Sequence, residues 1–250
     1  MNPLIFAGNW KMHLGPVEAA AFLDRFLDSY VPRDDREVWF YTPAVSLSTV
    51  AARIAERVGL RVGAQHVHWE AKGAFTGETS VSMAAEAGAT STLIGHSERR
   101  HVFGETDEAT GAKVRAALAG GLLPMLCVGE TLAQRDAGQT LDVVRRQLAV
   151  LEGLAPAQLA QVPIAYEPVW AIGTGKNATP ADAAAVHTVV RETMAGMGAP
   201  RVSVRVLYGG SVKPANVGAL VAESEIDGVL VGGASIDADS WLAITGSDRD

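Results

Sequence analysis

RVLYGGSVKPANVGALVAESEIDGVLVGGAS, residues 205–235, contains two short apolar runs, Arg205–Tyr208 and Gly228–Val231, each closed by a Gly-Gly pair and separated by a longer connection. The same alternation of short run and long connection continues outward along the chain. Further runs rich in Val, Ile and Leu fall at Leu4–Gly8, Val38–Tyr41, Arg61–Ala64, Thr90–Ile94, Leu123–Val128 and Pro163–Tyr166. Several show little polar alternation, as strands buried on both faces should. Eight such runs are the number that closes a parallel barrel, so the sequence predicts an α/β fold, a single (β/α)8 barrel of parallel strands with outer helices.

The connections read as helices. Phe22, Phe26 and Tyr30 share a stripe with Leu23 and Leu27 beside it, and Leu141, Val144, Leu148 and Leu151 form another. Thr179-Pro180-Ala181-Asp182 carries a capping hydroxyl, a proline and an acid in the order that starts a helix. Val186, Val189, Val190, Met194 and Met197 then supply its inner face. No linker divides residues 1–250, so one catalytic domain is expected, with a frayed tail at Gly246–Asp250. Residues Gln65–Glu78 form a long loop carrying Trp69 and Phe75, and loops of that length are usually functional or interfacial.

Hydrophobic residues are 48% and charged residues 20% of the 250, which excludes a disordered chain. Lys and Arg total 21 against 28 for Asp and Glu, a net charge of −7. That balance argues against nucleic acid or an anionic membrane as partner, but leaves a small anion open, because a pocket can be locally positive. The single Cys127 fits a reducing cytoplasm. Neither a signal peptide in Met1–Trp10 nor a membrane-spanning apolar stretch is read.

In such a barrel the chemistry sits in the loops that follow the strands. The polar residues there are Asn9 and Lys11 after the first run, His96 and Glu98 after the fourth, and Glu167 after the sixth. The seventh and eighth runs end in Gly209-Gly210-Ser211 and Gly232-Gly233. A carboxylate at Glu167 can take a proton from carbon if it is dry. His96 can donate to a carbonyl oxygen, and Lys11 supplies positive charge for an enediolate oxygen and a phosphate. The glycine pairs let backbone N–H groups approach phosphate oxygens. Pro168–Lys176, PVWAIGTGK, reads as a lid with an apolar middle; it does not fit the Walker pattern. His66 and His68 lack a third ligand, so no metal is expected. His101, His187 and Cys127 have ordinary structural readings, and Arg99-Arg100 is either a solvated face or an ion-pair partner.

With these residues in place, the chain closely resembles the triosephosphate isomerase family. The matching segments are Gly8–Met12 (GNWKM), Phe75–Glu78 (FTGE), Gly95–Thr106 (GHSERRHVFGET), Cys127–Glu130 (CVGE), Tyr166–Lys176 (YEPVWAIGTGK), Tyr208–Val212 (YGGSV) and Val231–Ser235 (VGGAS). They lie in family order across essentially the whole chain. The resemblance implies a TIM barrel that interconverts dihydroxyacetone phosphate and D-glyceraldehyde 3-phosphate through an enediolate, without a cofactor, as a step of glycolysis and gluconeogenesis. It assigns Glu167 as the shuttling base, His96 as the electrophile, Lys11 as the stabiliser of enediolate and phosphate, and Asn9 as the partner of the reacting oxygens. Glu98 would hold Lys11 and join the proton relay. Gly173, Ser211, Gly232 and Gly233 would bind phosphate, while Ile172 and Leu230 close over Glu167. It also implies a homodimer in which Thr76's loop enters the partner's site. His13 and His66 stand where the family commonly has Asn, and Asn177 where it commonly has Thr, which bears on the dimer and the lid hinge.

Other readings predict other residues. An aldolase wants a Schiff-base lysine on an inner strand, and a metal-dependent epimerase wants several His and Asp ligands at strand ends. A non-catalytic barrel predicts a damaged site, yet every matched catalytic position is filled.

Overall fold

Eight parallel strands close into a barrel in the computed structural model, which describes residues 2–172 and 178–248. They are β1 (Leu4–Asn9), β2 (Arg36–Thr42), β3 (Leu60–Ala64), β4 (Ser91–Ile94), β5 (Leu123–Val128), β6 (Ile164–Tyr166), β7 (Val206–Tyr208) and β8 (Gly228–Val231). They follow chain order around the sheet, and β8 returns to β1 with Ile5 opposite Gly228 and Gly8 opposite Val231. The sequence reading therefore gives the correct architecture. Its largest boundary error is at β2, which starts at Arg36 rather than Val38. Arg36 and Glu37 disguise that start, because charged side chains do not look like strand. Here they are satisfied: Glu37 accepts from Trp39 Nε1 and Arg61 Nε at 2.9 and 2.8 Å.

Strand alternation sends successive side chains to opposite faces, and both faces are dry. Ile5, Ala7, Trp39, Tyr41, Leu93, Met125, Cys127, Ala165, Leu207 and Leu230 fill the interior. Leu4, Phe6, Val38 and Phe40 belong to the outer layer, which packs beneath the helices. Phe40 is its aromatic centre, with the rings of Trp10, Phe22, Phe26 and Trp241 at 5.5–6.4 Å. The predicted Phe22, Phe26, Tyr30 stripe is a continuous stack on the helix Pro16–Ser29, with Tyr30 as its C-cap.

Two helix readings need correction. Leu141 faces outward at 37% exposure, and the helix Thr140–Leu148 instead buries Val143, Val144, Gln147 and Leu148. Gln147 earns its place in the core by gripping Gly129, donating to its O and accepting from its N. Val189 lies off the inner face of the helix Pro180–Gly196, whose buried residues include His187 and Arg191. The Thr179 start is as read, with its side chain accepting from Asp182 N. Burial and the nearby Arg191 push His187 down to about 3, so the ring stays neutral and donates to Glu225 O.

The expected frayed tail is tethered as far as Asp248. Buried Arg36 donates to Thr245 O, Ser247 O and Asp248 Oδ1 at 2.6–2.8 Å. Arg249 and Asp250 lie outside the described residues. Truncating Phe40 to Ala should lower the unfolding free energy by about 3–5 kcal/mol, because a closed aromatic cluster cannot collapse onto the gap. Urea titration followed by circular dichroism measures this; a loss below about 1 kcal/mol would mean the cluster is not close-packed.

Candidate active site

The C-terminal ends of the strands converge on a cavity of about 260 Å³. Asn9, Lys11, His96 and Glu167 line it together with Ile172, Ser211, Leu230, Gly232 and Gly233. These are residues the sequence singles out, drawn from five strand ends.

Glu167 directly follows β6 and is 2% exposed. Its Oε1 lies 2.9 Å from His96 Nε2, and its Oε2 accepts from Ser97 N at 2.8 Å. His96 follows β4 and caps the short helix Ser97–His101, its Nδ1 accepting from Glu98 N at 3.3 Å. Because Nδ1 accepts, the ring proton belongs on Nε2, where it is donated to Glu167. Burial disfavours charge on either group, and contact outweighs it. His96 and the Ser97 N–H hold the Glu167 carboxyl below the ordinary carboxylate range, and Glu167 pushes the imidazole up.

Lys11 lines the same cavity. Its φ of +50° lies in the left-handed region, which costs a side-chain-bearing residue on the order of 1 kcal/mol. Two contacts hold it there: Lys11 N donates to Asn9 Oδ1 at 3.0 Å, and Nζ meets Glu98 Oε1 at 2.5 Å. Asn9 ends β1 and is buried. Glu98, which lines the adjoining groove, thus pairs with the Lys11 ammonium.

Two glycines make the carboxylate's position possible. A Cβ on Gly129 would lie 1.7 Å from Glu167 O, and one on Gly209 would lie 2.8 Å from Glu167 Cγ. This changes the reading of Gly209: its N–H donates to Tyr166 O at 2.7 Å and is committed to the sheet, so it does not serve an anion.

Gly173 and Asn177 lie outside the described residues, as do residues 173–176 of the lid. Thr76 does not approach this chain's own cavity; it is exposed on the loop 65–78. His13 is also exposed. His66 and His68 do not converge: His66 pairs with Glu78, and His68 stacks against Trp69 and Phe75. Arg100 is structural, bound to Gly95 O and Asp107, and Arg99 pairs with Glu105. Burial pushes the Cys127 thiol up, consistent with a core residue.

Sequence reasoning missed three participants. Ser97 acts through its backbone N–H, which leaves no side-chain signal. Lys213 brings a second ammonium-bearing residue to the cavity lining. Glu130, fully buried, accepts from Tyr166 OH and from Trp170 Nε1 at 2.8 Å, while Arg135 covers the Trp170 ring at 4.2 Å. That cluster fixes the root of the lid segment; the CVGE motif marked Glu130 without indicating its partners.

A closed parallel barrel with a dry carboxylate–imidazole pair and an anchored lysine at its mouth defines an enzyme built for proton transfer beside an anion. The sequence model of the family described as triosephosphate isomerase matches residues 4–247. A triosephosphate isomerase of Symbiobacterium thermophilum is 51% identical over 250 residues, covering 98% of this chain and 96% of the relative. Those of Roseiflexus sp. (strain RS-1) and Moorella thermoacetica are each 48% identical, over 98% and 100% of this chain and 97% and 100% of theirs. The chain belongs to the triosephosphate isomerase family.

Replacing Gly209 by Ala should displace Glu167 and lower kcat/KM for triose phosphate isomerisation by roughly 10²-fold, since misplacement of a reacting group by about 1 Å costs that much. A coupled assay beside a circular dichroism spectrum checks it; full activity would show that Glu167 does not need this approach.

Proposed function

We propose that the chain interconverts dihydroxyacetone phosphate and D-glyceraldehyde 3-phosphate by moving one proton between adjacent carbons through an enediolate. The observation that carries this reading is the buried contact of Glu167 with His96, facing a cavity that Lys11, Ser211, Gly232 and Gly233 also line. Bound substrate takes the His96 Nε2–H as a donor to its carbonyl oxygen and so breaks the resting contact. Glu167 loses the partner that lowers its pKa but stays buried, so its basicity rises when a carbon acid is beside it. It removes a proton from one carbon and returns it to the other. His96 and Asn9 bind the two oxygens, and Lys11, oriented by Glu98, balances the enediolate and the phosphate. The reaction exchanges only a proton and leaves the oxidation state of the molecule unchanged, so the chemistry calls for no redox cofactor.

Ser211, Gly232 and Gly233 form the phosphate end. Ile172 and Leu230 close over Glu167 and exclude water, which protects the enediolate from losing phosphate. The protein works as a homodimer. Support comes from a groove lined by Met12, Pro43, Ala44, His66 and Phe103 that continues into Asn9, Lys11 and Glu98. Met12 is 94% and Phe103 66% exposed, a cost that a second copy offering its Thr76 loop would relieve. A cytoplasmic location agrees with the lone cysteine. Among the described residues, no helix is long and apolar enough to cross a membrane.

Glu167→Asp withdraws the carboxylate by one methylene and should lower kcat by at least about 10²-fold while the circular dichroism spectrum stays native. A coupled assay with glyceraldehyde 3-phosphate measures it, and an inert parent protein with intact fold would overturn the assignment. Met12→Glu places a charge in the groove and should shift sedimentation from dimer to monomer; an unchanged profile would remove this face from the interface.

A further inference from the structure

The charges around the cavity do not favour an anion until one further residue is counted. Lys11 Nζ meets Glu98 Oε1 at 2.5 Å, so its charge is largely answered before any ligand arrives. Glu167 adds a buried carboxylate, and its partner His96 is a neutral ring donating from Nε2. Together these groups present net negative charge to a phosphate, in a chain whose total is already −7. Lys213 is the remaining charged residue of the cavity lining among the described residues. It is exposed, and among the described residues no acid pairs with it.

The backbone of Lys213 is fixed although its side chain is exposed. Lys213 N donates to Asn216 Oδ1 at 2.8 Å, and Asn216 Nδ2 donates to Ser211 O at 3.1 Å. Lys213 O accepts from Asn216 N and Val217 N, both at 3.1 Å. That turn roots the residue two positions from Ser211, which lines the same cavity with Gly232 and Gly233. An ammonium on a flexible four-carbon stem is a hydrated point charge without fixed donor geometry. It therefore orients a ligand poorly, but its field reaches as far as the surrounding salt allows, about 10 Å at 0.1 M and less above it. A phosphate monoester near neutral pH carries about −1.5 to −2 charges, so each unit of local charge counts nearly twice.

We propose that Lys213 draws the phosphate of the substrate to the cavity by long-range attraction, separately from the short contacts that hold the phosphate once it is bound. This role takes its substrate from the isomerase reading, whereas the attraction itself applies to any phosphate dianion. It is local: Lys213 is one of 21 Lys and Arg residues, but it is the cation of the cavity lining that no carboxylate answers among the described residues. Its effect is accordingly strongest at low ionic strength and fades as salt shortens the reach of its field.

Lys213→Gln removes the charge and keeps most of the side-chain length. Its kcat/KM for glyceraldehyde 3-phosphate should fall about threefold below the parent's at an ionic strength of about 0.03 M, held with sodium chloride. At about 0.5 M the difference should shrink to less than about 1.5-fold. Lys213→Glu should fall further than Lys213→Gln at low salt, and Lys213→Arg should recover most of the loss. Arg57, exposed in the turn before β3 at the other end of the barrel, supplies the control. Arg57→Gln makes the same change in total charge and should keep the parent's salt dependence. Inorganic phosphate, titrated by calorimetry at the same two ionic strengths, should also bind Lys213→Gln about threefold more weakly at the lower one. A loss that persists at 0.5 M means local damage, a loss shared by Arg57→Gln means total charge, and no loss means no attraction; each overturns the proposal. A parent inert toward glyceraldehyde 3-phosphate that still shows the phosphate difference contradicts the isomerase reading and supports the attraction.

Discussion

The Glu167 carboxylate, fully enclosed at the barrel mouth, keeps its charge because the His96 imidazole and the Ser97 amide replace the water it has lost. Burying an anion without such donors costs several kcal/mol, and in practice the group would take up a proton instead. Much of the surrounding structure serves that pair. The donors stand at the end of β4 and the acceptor at the end of β6, with β5 between them. Only a residue without Cβ at Gly129 lets the chain after β6 come close enough, and buried Gln147 clamps that residue on both its N–H and its O. Gly209 makes the same concession from β7.

Local charge, rather than total charge, decides the ligand. The chain carries a net −7, yet Lys11 and Lys213 both line the cavity. Lys11 accepts a left-handed backbone to be there, and Asn9 and Glu98 hold it in place. An acidic exterior and a locally cationic pocket coexist because ionic screening confines the fields of exposed charges to about 10 Å.

What was legible in the sequence follows from how far each signal reaches along the chain. The apolar runs and their glycine endings are local, so all eight strands and the candidate residues after them could be read. Thr179 and Asp182 cap a helix from within four residues, and that start was read as well. The tail grip of Arg36 joins residues more than two hundred positions apart, and nothing near Arg36 announces it. Leu141 matched a helical period but points away from the face on which Val143, Val144, Gln147 and Leu148 are buried. Gly209 was read as freedom to approach an anion, whereas space for Glu167 is what the fold takes from it. His66 was visible as a departure from the family pattern, but its partner Lys113 comes from forty-seven positions on.

The central claim is that Glu167 carries a proton between two carbons while His96 stays on oxygen. Turnover of dihydroxyacetone phosphate in deuterium oxide, followed by proton NMR, tests it most directly. A carboxylate that holds the abstracted proton exchanges it with solvent, so the glyceraldehyde 3-phosphate formed should carry deuterium at C2, and Glu167→Gln should form none. Product free of solvent deuterium from the parent enzyme would mean that hydrogen passes directly between the carbons, and would contradict the account.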